Sequence, residues 1–114
     1  MTRAAFWEEK GTAEMRFMMQ VDGHAGFLKT NDPVCTACSA ITQGLIAALY
    51  MEGFQVQYAE DETVPAIRMI CTAQDSLDAE RIEYMIRTAR HSLELLAKNY
   101  PKNVFVSGEK PKMH

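Results

Sequence analysis

The N-terminal part of the chain alternates apolar and polar positions with a period of two. Such alternation is typical of strands that have one face buried and one face in water. Glycine at position 11 separates the run 13–21 from an earlier strand-like run, 3–9, so the pattern predicts a β-hairpin. The alternating apolar positions of the second run are Met15, Phe17, Met19 and Val21.

The next segment changes to helical spacing after Asp32 and Pro33. Aspartate accepts hydrogen bonds well at a helix N-cap, and proline fits the first helical turn because no donor is missed there. The pattern predicts a helix to about Glu52, where Gly53 favours a C-terminal stop. Its apolar stripe comprises Val34, Cys38, Ile41, Leu45, Ala48 and Leu49.

A second helix is predicted from a cap at Asp75 or Ser76 to the residue before Pro101. Asp78 and Glu80 complement the positive end of this helix. Its stripe is the clearest pattern in the chain and comprises Ile82, Met85, Ile86, Ala89, Leu93, Leu96, Ala97 and Tyr100.

Period-two alternation returns in the segments 54–58 and 67–71, and the acidic stretch 60–62 between them is expected to turn the chain. A short final strand is expected at 104–106. The order is therefore β-β-α-β-β-α-β, which indicates an α+β fold in a two-layer or sandwich arrangement. Two long helices would bury their stripes on a sheet built from hairpins, as a single domain over residues 1–114.

Composition narrows the classes of function. The chain has 114 residues, 47% of them apolar, a net charge of −3 and a pI near 5.6. This charge argues against direct binding of nucleic acid and favours a basic protein or peptide as partner. We find neither a long apolar run nor a secretory leader, and three cysteines form no even framework, so we expect free thiols, no membrane association and a cytoplasmic location.

Cys35 is the first candidate for chemistry because it falls in the first turn of the first helix. Free N–H groups and the helix dipole favour an anion there, so its thiolate should form more easily than that of an ordinary cysteine. At 100° per residue, Ser39 and Thr42 lie beside Cys35 at the edge of the apolar stripe. The thiol is therefore expected to be reachable.

His24 precedes Cys35 by 11 positions, and the intervening residues form a plausible loop. Gly23 and Gly26 would allow close approach to the imidazole. A Cys–His pair would make a nucleophile for acyl transfer, with the backbone N–H groups of Cys35 and Thr36 holding the oxyanion. A histidine in such a loop is more often a simple turn residue.

Other interpretations use the same residues. Cys35 and Cys38 form a C-x-x-C at a helix start, as in thiol–disulfide exchange, although no βαβ pattern leads into it. His24 with these two cysteines supplies three zinc ligands and no evident fourth, so neither a metal nor another cofactor is expected. Cys38 and Cys71 fall on inward faces, which favours burial. Asp32 could be only a cap, and Ser39 only a surface residue.

Two short segments together resemble a known signature. Residues 23–27 (GHAGF), followed by Asp32, Val34 and Cys35 and then by Ser39-Ala40, are similar to the motif of the ribosomal-processing cysteine protease family, Prp. The resemblance continues through both hairpins and the helix exit at 95–101 (LLAKNYP), so it covers nearly the whole chain. The His-to-Cys interval is one residue shorter than in that motif.

The resemblance implies a cytoplasmic endopeptidase, usually a homodimer, that removes a short N-terminal extension from a large-subunit ribosomal protein. His24 and Cys35 match the catalytic pair, and Asp32 and Ser39 match supporting positions. In that family the substrates have extensions that end in aromatic residues, which implies an apolar pocket near Cys35. The alternative on the same fold is a non-enzymatic module for ribosome assembly or regulatory binding.

Overall fold

The computed structural model describes residues 1–61 and 66–112, and its elements follow the predicted order. The first hairpin, the first helix, the second hairpin, the second helix and a short strand succeed one another along the chain. Their bounds are β1 Thr2–Lys10, β2 Met15–Asp22, α1 Pro33–Met51, β3 Gln55–Asp61, β4 Ala66–Ala73, α2 Ser76–Asn99 and β5 Val104–Ser107.

The five strands form one mixed sheet in the order β3-β4-β2-β1-β5. Both predicted hairpins are present as antiparallel pairs, β1 with β2 and β3 with β4. The hairpins join through antiparallel β2 and β4, whereas β5 pairs with β1 in parallel. In this register Phe6, Met19 and Met69 align across three neighbouring strands, so the inward face of the sheet is continuously apolar.

The fold has two layers, which confirms the predicted α+β class. α1 packs against α2 and β3, and α2 packs against β2, β4 and β5. One apolar core lies between the helices and the sheet, since Leu49, Ile82 and Leu93 from the helices join Met19 and Met69 from the strands. Each of these five side chains is at most 1% exposed.

The turn predicted for the acidic stretch 60–62 is wrong at its first two residues. Glu60 and Asp61 belong to β3 and pair with Ile67 and Ala66 of β4, and position 62 lies outside the described residues. β3 also begins one residue later than predicted, at Gln55. Charged residues are tolerated here because β3 is an edge strand with exposed side chains.

The buried face of α1 is rotated from the predicted stripe. Thr42 and Ile46 are buried, whereas Ile41 and Ala48 are only half-buried. The rotation follows from packing on two neighbours at once, α2 and β3. Thr42 tolerates burial because its hydroxyl donates to the carbonyl oxygens of Cys38, at 2.9 Å, and Ser39, at 3.2 Å.

Length and composition alone would allow α1 to span a membrane. Core helices of globular domains pass the same test, and here Val34, Leu45 and Leu49 of α1 are buried in the common core. The helix ends at Met51 with Glu52 as its C-cap, and the next residue, Gly53, has φ of +88°, a conformation that glycine adopts at little cost. The predicted glycine stop is thus confirmed.

Two leucines on α2 provide a test of this packing. Leu93 is fully buried, whereas Leu95 is 62% exposed on the opposite side of the helix. We expect Leu93→Ala to reduce the free energy of unfolding by about 2–5 kcal/mol, through lost burial and the cavity that remains. Leu95→Ala should change it by less than about 0.5 kcal/mol. Urea unfolding followed by circular dichroism measures both, and equal losses would contradict the assigned orientation of α2.

Candidate active site

A cleft of about 250 Å³ opens where the start of α1 meets the sheet. His24 and Gly23, after the end of β2, form part of its wall, and Cys35 and Ser39 of α1 form another part. Glu60, at the end of β3, lies at the same cleft. Four of the residues selected from the sequence therefore converge on one opening.

Asp32 connects the loop to the helix. One carboxylate oxygen accepts the N–H of Val34 at 2.9 Å and, more weakly, that of Cys35 at 3.4 Å. The other oxygen accepts the N–H groups of Phe27 at 2.9 Å and Leu28 at 3.2 Å. Asp32 is thus the N-cap that the sequence predicted, and it also folds the preceding loop onto the helix start.

These contacts set the charge state of Asp32. Loss of solvent contact raises the pKa of its carboxyl, but hydrogen bonds from four backbone N–H groups together outweigh that effect. The pKa consequently lies below the ordinary value of 3.8. The carboxylate is therefore ionised at neutral pH, where an anion suits both the helix N-terminus and the loop amides.

The three thiols differ in environment. Cys35 is half-buried at the cleft, while Cys38 and Cys71 are buried, as predicted. Burial raises the pKa of Cys38, and the negative charges of Cys35 and Asp32 raise it further. Burial, with a smaller effect of Asp78, raises the pKa of Cys71 to about 11. Cys38 also borders the cleft, but Cys35 is the most accessible of the three thiols.

His24 is exposed beside the cleft. Within residues 1–61 and 66–112 its ring makes no hydrogen bond, so the imidazole and the Cys35 thiol face one cleft without being bonded to each other. The preceding Gly23 has φ of +86°, and a side chain there would overlap the carbonyl of Met1. Gly26 also has a positive φ, of +72°. Glycine is required for this loop path.

The two N–H groups proposed from the sequence as oxyanion donors have acceptors in this structure. The Cys35 N–H has its long bond to the Asp32 side chain, and the Thr36 N–H donates to the Asp32 carbonyl oxygen at 3.1 Å. The Thr36 hydroxyl donates to that same oxygen at 3.1 Å. The Cys35 N–H is the more available of the two because its bond is the longer.

Several residues at the site were not selected from the sequence. Thr2 of β1 lines the cleft, as do Glu60 and Asp61, which had been assigned to a turn. The Phe27 ring of the loop makes an edge contact with Tyr100 beyond α2, with centroids 5.2 Å apart. No local pattern marks Thr2, Glu60 or Asp61 as site residues, since each reaches the cleft through strand pairing. Among the described residues, no cluster of three or more His, Cys, Asp or Glu could hold a metal ion.

Residues 1–105 match the family described as Cysteine protease Prp. No curated protein is significantly similar in sequence. Solved structures share the fold. A Staphylococcus aureus structure described as an essential ribosomal processing protease Prp with a covalently linked product peptide has a TM-score of 0.79 and 16% identity, over 96% of this chain and 100% of that chain.

Two further structures are similar. The Staphylococcus aureus protease with a substrate peptide has a TM-score of 0.72 and 15% identity, over 96% of this chain and 100% of that chain. SMU.848 from Streptococcus mutans has a TM-score of 0.71 and 24% identity, over 96% of each chain. At these identities the likeness shows a common fold.

The two helix caps allow a test of the role of Asp32. Its folded-state pKa is lowered, so its stabilising effect is complete above the unfolded value of 3.8 and is lost as the pH falls through the lower folded value. Asp32→Ala should lower the urea midpoint at pH 7, and the difference from wild type should shrink as the pH falls below 3.8. Asp75→Ala is the matched control, because the Asp75 side chain caps α2 through one N–H, that of Asp78. A smaller effect for Asp32→Ala than for Asp75→Ala would contradict the bridging role.

Proposed function

The chain belongs to the Prp family of cysteine proteases, and on this basis we propose that it removes a short N-terminal extension from a large-subunit ribosomal protein. Cys35 is the nucleophile in this proposal and His24 is the general acid and base. The observation that carries the assignment is that both side chains line one cleft at the start of α1. Cys38 also borders this cleft but is only 3% exposed, and Cys71 does not line it, so Cys35 is the thiol that a substrate can reach.

The reaction uses two acyl transfers. His24 removes the thiol proton as the sulfur of Cys35 attacks the carbonyl carbon of the scissile peptide bond. The tetrahedral intermediate collapses when His24 gives that proton to the leaving amine, and this step releases the mature protein and leaves a thioester. A water molecule that His24 deprotonates then attacks the thioester, which releases the extension as an acid and restores the thiol.

The start of the helix supports this chemistry. The Cys35 N–H makes only a weak hydrogen bond, of 3.4 Å, to the Asp32 carboxylate. It can therefore donate to the oxyanion instead at small cost. The Thr36 N–H already donates to the Asp32 carbonyl oxygen. It would therefore share its hydrogen between that oxygen and the oxyanion, as a three-centre donor. Asp32 supports the pair by fixing the helix start, and Ser39 borders the thiol at the cleft.

The surface next to the cleft suits an apolar extension on a basic protein. A groove of about 450 Å³ between α1 and β3 shares Gln43 and Glu60 with the cleft. Its wall includes Ile46, Tyr50 and Tyr58, and the two tyrosines are 73% and 61% exposed. Glu60 and the net charge of −3 favour a cationic partner, and ribosomal proteins are basic where they meet RNA.

A cytoplasmic homodimer is the proposed working form. Three free cysteines within the described residues fit a reducing compartment. Several large apolar side chains outside that groove are exposed, among them Met51 of α1 and Phe105 of β5, and such surface is characteristic of interfaces. Light scattering of the purified protein at micromolar concentration should give twice the chain mass of 12.9 kDa. A single species of the chain mass at all concentrations would contradict the dimer.

The processing role is tested in cells and with purified protein. We expect mass spectrometry of the host's large-subunit ribosomal proteins to find one whose N-terminal extension persists when this protein is depleted. Purified wild type should cleave that protein, and His24→Ala should cleave it about 10²- to 10⁴-fold more slowly because proton transfer is lost. Circular dichroism should show that this variant is folded, since His24 is exposed. Unchanged N-termini after depletion would rule out the processing role.

A further inference from the structure

We propose that Thr2 and Asn103 position His24, by holding the carbonyl groups on either side of it. The inference rests on the proposed function, in which His24 is the acid and base. Gly23 and Ala25 flank His24 directly, and each presents its carbonyl oxygen to one member of this pair. Thr2 begins β1 and Asn103 immediately precedes β5, so the pair is remote from His24 in sequence.

The Asn103 contact is the stronger of the two. Its side-chain Nδ2 donates to the Ala25 carbonyl oxygen at 3.0 Å, across 78 positions of the chain. Ala25 is 1% exposed, so water cannot easily replace this donor. Losing the amide would leave a poorly solvated carbonyl without its partner, and the backbone next to His24 would have to move to find another.

The Thr2 contact completes the arrangement. Its hydroxyl donates to the Gly23 carbonyl oxygen at 3.5 Å, a long bond, and Thr2 is itself 2% exposed. The Met1 carbonyl lies against Gly23 on the same side, where only a glycine leaves enough room. The chain on the N-terminal side of His24 is therefore confined mainly by packing, and its C-terminal side mainly by the Asn103 bond.

The two positioning residues are also fixed to each other. The Thr2 N–H donates to the Asn103 carbonyl oxygen at 2.8 Å, and the Asn103 N–H donates to the Tyr100 carbonyl oxygen at 2.9 Å. Thr2 also pairs with Val104 in the parallel β1–β5 ladder. The His24 segment is thus attached to the edge of the sheet and the end of α2, rather than only to its own loop.

Attachment of the backbone matters here because, within the described part of the chain, the imidazole of His24 has no hydrogen bond that fixes its orientation. Among residues 1–61 and 66–112 its ring has no hydrogen-bond partner that could orient it before substrate enters. Its location relative to Cys35 must then come from the main chain. A displacement of about 1 Å in a catalytic group can cost on the order of 100-fold in rate, so the carbonyl contacts should affect turnover more than substrate binding.

The test compares two asparagines that each donate a side-chain bond to a carbonyl. Asn103→Ala and the isosteric Asn103→Asp remove the donor to Ala25, whereas the control Asn99→Ala removes a donor to Leu95 on the exposed side of α2. Two rates are measured at pH 7 for each variant. They are alkylation of Cys35 by iodoacetamide, located by peptide mass spectrometry, and cleavage of the extended ribosomal protein, resolved into kcat and KM.

We expect both Asn103 variants to lower kcat about 10- to 100-fold with KM within about twofold, because orientation and not binding is impaired. Cys35 alkylation should fall toward the rate of His24→Ala. Asn99→Ala should match wild type in both measurements. Thr2→Val, which keeps the shape of the side chain and loses the hydroxyl, should show a smaller loss of kcat, and it serves as the test if Asn103 variants do not fold.

The outcomes separate this inference from the proposed function. In one outcome, wild type is alkylated at Cys35 in a His24-dependent way, with a lower rate in Asn103→Ala, and yet fails to cleave the ribosomal protein. In that case the positioning role stands and the proposed substrate is wrong. Wild-type alkylation and kcat in the folded Asn103 variants would overturn the positioning role while leaving the protease assignment intact. Alkylation and kcat unchanged by His24→Ala would remove both the catalytic role of His24 and the inference that depends on it.

Discussion

The site depends on the hydrogen bonds that the Asp32 carboxylate accepts from backbone N–H groups. One oxygen faces the first N–H groups of α1, and the other faces two N–H groups of the loop that carries His24. An anion at a helix start is stabilised by the helix dipole and by otherwise unsatisfied donors. Because a single group serves both segments, the location of Cys35 and the path of the His24 loop are not independent.

The two-layer core supplies the rigid support for that arrangement. α1 is held by Leu45 and Leu49, which join the core below the first turn, while the turn itself stays at the edge where Cys35 is half-buried. The sheet brings the end of β2, the end of β3 and the start of β4 to the same edge, so Glu60 borders the cleft. Cys35, His24 and Glu60 thus come from separate parts of the chain that one core holds together.

Local chemistry explains which predictions succeed. Asp32 followed by Pro33 is a strong helix start, and the α2 stripe has the period of a helix with one buried face, so both helices were predictable. Glu60 and Asp61 were misassigned because an acidic run favours a turn, while pairing with β4 places both in an edge strand. Thr42 was predicted to lie at the edge of the apolar stripe. It can be buried because its hydroxyl donates to the Cys38 carbonyl oxygen of the same helix.

The element order, the α+β class, the helix start at Asp32 and Pro33 and the family can be predicted from the sequence alone, because periodicity, capping and short motifs are local properties of the chain. The parallel pairing of β5 with β1, and with it the reach of Asn103 to Ala25 beside His24, follows only from the folded structure. Contacts between residues 78 positions apart depend on how the helices and sheet pack together, and no local pattern encodes that packing.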